Sequence, residues 1–123
     1  MSDVINRIQG FLNEATALEP NKAQMKTIEG WVRKKLGLSR DPTFKQSGKD
    51  FHAPITPDGA HGKLCKEYRL DLTLWDASNE ARRPNILAAK VHLRWSYKSG
   101  GSNGDGVGTI YMDVDGKIIH EDF

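Results

Sequence analysis

The chain has 123 residues, of which 37% are hydrophobic and 28% are charged, and its formal net charge at neutral pH is +2. This length predicts a single domain over residues 1–123 with one modest core, and so small a net charge does not by itself indicate a nucleic-acid-binding protein. No run of apolar residues is long enough for a transmembrane helix, so we expect no membrane partner.

Two amphipathic helices are predicted within residues 1–36. In residues 2–17 apolar side chains recur at helical spacing, and Ser2 suits the N-cap position. Residues 20–36 carry a second apolar stripe and end before Gly37, a typical helix stop. The second stripe consists of Met25, Ile28, Trp31, Val32 and Leu36.

Residues 37–63 are predicted to be an irregular segment between the helices and a sheet. Three prolines and four glycines interrupt it, and so long a structureless loop is unusual in a compact domain. The segment therefore either contains a short strand and a short helix or acts as a functional lid. We expect a short strand near Asp50–Ala53.

From residue 64 to residue 123 the pattern changes to the period of two that is typical of an antiparallel sheet. Residues 68–75 and 88–98 alternate apolar and polar side chains, and a glycine-rich stretch then leads to a third strand. Asp115-Gly116 is a strong signal for a two-residue hairpin turn before a last short strand. The chain is thus predicted to be an α+β domain whose N-terminal helices pack on a curved antiparallel sheet.

The chain contains three short motifs in this order: Phe51-His52-Ala53-Pro54, the pair Arg94-Trp95, and the closing hairpin Asp115-Gly116-Lys117-Ile118. Together they resemble the nuclear transport factor 2-like superfamily, which includes polyketide-cyclase-like proteins and ketosteroid isomerases. The resemblance implies a cystatin-like roll that holds a small, mostly apolar molecule. Some members of this superfamily catalyse isomerisation, cyclisation or dehydration, and others serve as dimerisation or adaptor domains, so the fold alone does not decide the function.

His52 and Asp50 are the first candidate catalytic residues. Histidine is a common general acid or base, and a nearby carboxylate can orient its ring. In a strand the two side chains would share a face, which favours this interpretation. The alternative is a loop histidine exposed to solvent.

Asp71, His92 and Arg94 form a second candidate group on the polar faces of two strands. A histidine and a carboxylate beside an arginine could polarise a carbonyl group or bind a carboxylate. The alternative is a solvated face, or a dimer interface in which Trp75 joins these residues as an anchor.

Four aromatic residues could line a ligand cavity, with the tyrosine hydroxyl groups donating hydrogen bonds to a ligand oxygen. They are Trp31, Tyr68, Trp95 and Tyr97. The alternative is that they belong to an ordinary hydrophobic core, which is common for aromatic residues at these spacings.

No cofactor and no metal are expected. His61 and Cys65 have a spacing that would place them on one face of a helix, but no complete metal-binding motif is present. The single cysteine excludes an internal disulfide. Together with an N-terminus that lacks an apolar signal run, it predicts a reducing, cytoplasmic setting.

Three functions follow as hypotheses. The first is binding of an apolar small molecule, with isomerase, cyclase or dehydratase activity by proton transfer. The second is a non-catalytic homodimer or an adaptor for another protein. The third is binding of a polyanion or RNA by a basic sheet face. Nucleic acid is disfavoured as a partner, because the net charge is only +2. That face would carry Arg69, Lys90, His92, Arg94 and Lys98, with Trp75 and Tyr111 as aromatic partners.

Overall fold

A computed structural model describes residues 19–48, 50–55 and 64–122, which form an α+β arrangement of one helix packed against an open, six-stranded antiparallel sheet. The strands are neighbours in the sheet in the same order as in the chain. In chain order the elements are α1 (Lys22–Leu36), β1 (Lys45–Ser47), β2 (Asp50–Pro54), β3 (Cys65–Asp76), α2 (Ser78–Ala81), β4 (Leu87–Tyr97), β5 (Ser102–Met112) and β6 (Ile118–Asp122).

Helix α1 confirms the second predicted helix, and its ends are set by side-chain and backbone caps. Asn21 accepts a hydrogen bond from the Gln24 backbone, and the Gln24 side chain accepts one from the Asn21 backbone, which completes a capping box. The helix ends at Gly37, whose φ of 65° is left-handed. The helix predicted over residues 2–17 lies outside the described residues.

The core lies between α1 and one face of the sheet. Ile28, Trp31 and Val32 on the helix are buried against apolar side chains of the strands. The largest fully buried strand residues in this core are Leu70, Val91, Ile110 and Met112. Burying each such side chain stabilises the fold by about 2 kcal/mol.

The alternation predicted for the two long strands is confirmed in the structure. Leu70 and Leu72 of β3 are buried and pair with Leu93 and Val91 of β4, whereas Asp71 between them lies on the opposite face. We call the face that packs on α1 the helix face and the opposite one the polar face. Because successive strand residues point to opposite sides, the apolar pattern fixes which side chains reach the polar face.

The strand predicted near Asp50–Ala53 is confirmed as β2, and it forms a hairpin with β1, a strand of three residues. The glycine-rich connector predicted after residue 98 is shorter than expected. Its second half belongs to β5, where Ser102 and Asn103 pair with residues of β4. Pairing with a long neighbouring strand therefore extends β5 into a sequence with weak strand propensity of its own.

The β5–β6 hairpin forms at the predicted place, but its loop has three residues. The backbone N–H of Asp113 donates to the carbonyl of Lys117, so residues 114–116 form the loop. The Asp113 carboxylate also accepts hydrogen bonds from the backbone of Asp115 and Lys117, at 2.9 and 3.0 Å. These bonds begin the turn at Asp113 and leave Gly116 as its left-handed residue, with φ of 80°.

Helix α2 is a single turn in the segment that connects β3 to β4. It covers a small second cluster on the polar face, built on the buried Ala77, Ile86 and Ala88, with Trp75 and Tyr111 partly buried beside them. No helix formed by the described residues is both long and apolar enough to cross a membrane.

Candidate functional site

The strand register brings the predicted polar residues of three strands together on the polar face. His52 of β2 pairs with Asp71 of β3, and Asp71 pairs in turn with His92 of β4. One row further along, Arg69 lies directly opposite Arg94. Their neighbours on each strand are buried or partly buried on the helix face, so these five side chains reach the polar face.

Asp71 is the centre of this group. Its Oδ1 atom lies 2.7 Å from His52 Nδ1 and 3.0 Å from Arg69 Nε, and its Oδ2 atom lies 2.8 Å from Arg94 Nε. The Asp71 side chain is 19% exposed, whereas those of Arg69 and Arg94 are 44% and 56% exposed. We call His52, Arg69, Asp71 and Arg94 the Asp71 cluster.

Both arginines of the Asp71 cluster use the same atom, Nε, to contact the carboxylate. Within the described residues, neither guanidinium group has a hydrogen-bonding or ion-pair partner other than Asp71. The carboxylate therefore fixes the orientation of each guanidinium group and leaves its outer N–H groups for another acceptor.

The Asp71 cluster borders a shallow depression of about 460 Å³. Its lining residues are Asp50, His52, Arg69, Asp71, Leu72, Thr73, His92 and Arg94. The depression is polarised: the arginines lie at one end, and the exposed carboxylate of Asp50 lies on the other side of the row formed by His52 and Asp71.

The structure thus joins two candidate groups that the sequence treats separately. The predicted catalytic residue His52 lies in the same cluster as Asp71 and Arg94 of the predicted anion-binding or interface group, with His92 beside them. Asp50 shares the depression, but the carboxylate in contact with His52 Nδ1 is that of Asp71. The sequence predicts Arg69 only as part of a basic surface. Arg69 and Asp71 are two residues apart on β3, so alternation places both on the polar face, and the rotamer of Arg69 then brings its Nε atom to the carboxylate.

Three of the four predicted cavity aromatics lie together at one end of the helix face. The rings of Tyr68 and Trp95 are stacked with their centroids 5.8 Å apart, and Trp95 Nε1 donates a hydrogen bond of 2.8 Å to the Tyr97 hydroxyl. Trp31 lies elsewhere, in the core, and its ring packs against the backbone at Gly108. The structure therefore does not place Trp31 with the other three.

Trp75, the fourth residue of the predicted interface group, lies away from the Asp71 cluster. It pairs with Ala88 and packs against the small second cluster that α2 covers. Its Nε1 atom donates a hydrogen bond of 3.2 Å to the Glu80 carboxylate. The structure therefore separates Trp75 from Asp71, His92 and Arg94.

Metal-ligating side chains are not clustered in the part of the chain that the structure describes. Among residues 19–48, 50–55 and 64–122, no three His, Cys, Asp or Glu residues are arranged to hold a metal ion. Cys65 is buried opposite Tyr97 at the start of β3, and His61 lies outside the described residues.

The chemistry open to the Asp71 cluster is of two kinds. The outer N–H groups of Arg69 and Arg94 suit a carboxylate or phosphate oxygen. The contact between Asp71 and Nδ1 of His52 leaves Nε2 of that ring as the atom able to take or give a proton.

Comparisons of this chain with protein-family models, with curated proteins and with solved structures find no match.

Proposed function

We propose that this protein binds a small anionic molecule at the Asp71 cluster. The observation that carries the proposal is the pairing of Arg69 with Arg94 directly across two neighbouring strands. Like charges in that position destabilise a sheet, and here the Asp71 carboxylate between them holds the two arginines together. Local rules are most often broken in this way where a protein has a functional site.

The charge within the Asp71 cluster supports an anionic ligand. A single carboxylate lies between two guanidinium groups, so Arg69, Asp71 and Arg94 together carry one net positive charge. An arginine whose Nε is already held presents its outer N–H groups with less loss of side-chain freedom when a ligand binds. A phosphate or carboxylate group spanning both arginines would neutralise the remaining charge.

Substitution of Arg94 tests this proposal. We expect the Arg94→Gln variant to bind inorganic phosphate about tenfold more weakly than the unmodified protein, because one charge-assisted contact is lost. Binding is measured at low ionic strength by shifts of the backbone amide resonances on addition of phosphate. Added chloride should weaken the binding, since both arginines are exposed enough to be screened.

The matched control is Arg40→Gln, which removes an exposed arginine outside the depression. Phosphate affinity should be unchanged in this variant. If the unmodified protein shows no phosphate-dependent shifts near β3 and β4, or if both variants weaken binding equally, the Asp71 cluster is not the anion site.

A second candidate function, proton transfer, is favoured by the 2.7 Å contact between His52 Nδ1 and Asp71. We propose that His52 Nε2 removes a proton from a carbon next to a carbonyl group of a ligand held by the arginines. The electron pair of the broken C–H bond moves to the carbonyl oxygen as an enolate, and the proton returns from solvent or from His52.

Deuterium exchange tests this activity. With pyruvate and other 2-oxo acids as probes in D₂O, the unmodified protein should accelerate incorporation of deuterium at the carbon beside the carbonyl, as followed by mass spectrometry. The His52→Asn variant should lose about 100-fold or more of that acceleration. Equal rates for the two proteins would exclude His52 as the base for this substrate class.

The predicted roll of the nuclear transport factor 2-like type and the cytoplasmic setting also belong to our proposal. A helix packed on one face of a long antiparallel meander supports the first, and the single cysteine supports the second. In such a roll the predicted apolar small molecule would lie on the helix face, beside Tyr68, Trp95 and Tyr97.

A homodimer or an adaptor function through the polar face is the alternative. Light scattering over a wide concentration range distinguishes the homodimer from a monomer.

A further inference from the structure

A second depression adjoins the first at the two arginines. It has a volume of about 200 Å³. Its lining residues are Glu67, Arg69, Arg94, Trp95, Ser96, Ser102 and Asn103. Because Arg69 and Arg94 line both depressions, a ligand whose anionic group contacts the arginines can extend its remaining atoms into the second one.

The side chains of the second depression form a short polar row across three strands. Glu67 pairs with Ser96, and Ser96 pairs with Ser102, so consecutive members are one strand spacing apart, about 4.8 Å. Serine hydroxyl groups both donate and accept hydrogen bonds. In the described part of the chain neither serine hydroxyl is bonded to another protein group.

Asn103 also lines the second depression, but it pairs with Trp95 and therefore belongs to the helix face, outside this row. Its Oδ1 atom accepts a hydrogen bond of 2.8 Å from the backbone of Gly104. Glu67 is an acceptor when ionised. The row therefore offers donors and acceptors side by side, the combination that recognises neighbouring hydroxyl groups, each of which is a donor and an acceptor itself.

Glu67 also limits the charge of the ligand. A second phosphate group extending from the arginines into this depression would meet the Glu67 carboxylate, and like charges repel. A continuous polyanion such as RNA is therefore disfavoured here. A long apolar chain is disfavoured as well, because it would remove water from hydroxyl and amide groups without replacing their hydrogen bonds.

We propose that the ligand of the Asp71 cluster is a monosaccharide that carries one anionic group, either a phosphate monoester or a carboxylate. The anionic group contacts Arg69 and Arg94, and the sugar hydroxyl groups contact the row formed by Glu67, Ser96 and Ser102. This inference rests on the proposed anion site and deepens it, since it names the class of molecule that the anion belongs to.

Four probes test the inference in one titration series: inorganic phosphate, the phosphate monoester of glucose, glucuronate and neutral glucose. We expect at least one of the two anionic sugars to bind about tenfold more tightly than inorganic phosphate, because two or more hydrogen bonds are added. The sugar that binds more tightly identifies the anionic group. Glucose alone should not bind measurably, since it lacks the charge that the arginines recognise.

The double variant Ser96→Ala/Ser102→Ala should bring the affinity ratio of the better sugar to inorganic phosphate close to one. The control Ser39→Ala, at an exposed position after α1, should keep the ratio. Circular dichroism melting confirms that the double variant is folded. If phosphate binds but neither sugar binds more tightly, the sugar inference is overturned and the anion site stands. If neither phosphate nor either sugar binds, both are overturned.

Discussion

The Gly116→Ala variant is expected to have a free energy of unfolding about 3 kcal/mol lower than that of the unmodified protein. A Cβ atom at this position would lie 2.6 Å from the backbone oxygen of Ala23 and 2.8 Å from its carbonyl carbon. These are backbone atoms of α1, which cannot move aside as a flexible side chain can. The φ of 80° adds the cost of a left-handed conformation for alanine.

The contact at Gly116 matters because it joins α1 to the sheet. The Thr27 hydroxyl donates to the Gly116 carbonyl at 2.6 Å, and the Gln24 side chain donates to the Asp113 carbonyl at 3.0 Å. The Asn21 side chain donates to the Val114 carbonyl at 2.7 Å. A shift that relieves the alanine Cβ would stretch these bonds together, so the helix N-terminus and the hairpin would separate as a unit.

The matched control is Gly37→Ala. Gly37 has a similar left-handed φ of 65°, but a Cβ atom there would meet no atom within 4 Å. This variant should lose only about 1 kcal/mol, the conformational cost alone. Thermal melts should show a midpoint for Gly116→Ala about 10 °C lower than the midpoint for Gly37→Ala. Equal losses in the two variants would contradict the close contact between the hairpin and α1.

The elements that the sequence predicts best are those with a long, regular hydrophobic pattern. Helix α1 follows from its apolar stripe and from the stop at Gly37, and both faces of β3 and β4 follow from strict alternation. In each case many residues agree on one period, so a single exception does not change the outcome.

The short elements were not predicted because they depend on their neighbours. Strand β1 has three exposed residues and exists through its pairing with β2. Helix α2 is one turn, too short to be stable without the apolar cluster it covers. The first residues of β5 are likewise held by β4, because their own sequence favours a turn.

The candidate site could be predicted residue by residue but not as a whole. Alternation alone places Asp71 and His92 on the polar face. It does not show which strands are neighbours or in which register they pair. Asp50 was the expected partner of His52, yet residues two apart on a strand are separated by about 6.6 Å along it. Cross-strand partners such as Asp71 have Cβ atoms about 5 Å away, so cross-strand contacts are the shorter ones.

The Asp71→Asn variant should show what the two arginines cost the fold when they lack their shared carboxylate. At low ionic strength its free energy of unfolding is expected to fall by about 1–2 kcal/mol. The loss is no larger because both guanidinium groups are partly exposed to solvent, which screens their charges. The loss arises because Arg69 and Arg94 then face each other without a counter-charge. Chemical denaturation at several salt concentrations provides the measurement.

Two features separate this explanation from a general packing defect. Phosphate or added salt should restore much of the lost stability, because an anion can occupy the place of the missing carboxylate or screen the two arginines. The double variant Asp71→Asn/Arg94→Gln should be more stable than Asp71→Asn alone, since the repulsion is gone. The control Asp41→Asn breaks one exposed pair with Arg33 and should cost about 0–0.5 kcal/mol. A loss in Asp71→Asn that neither salt nor the second substitution reduces would mean that Asp71 stabilises the sheet by packing rather than by charge.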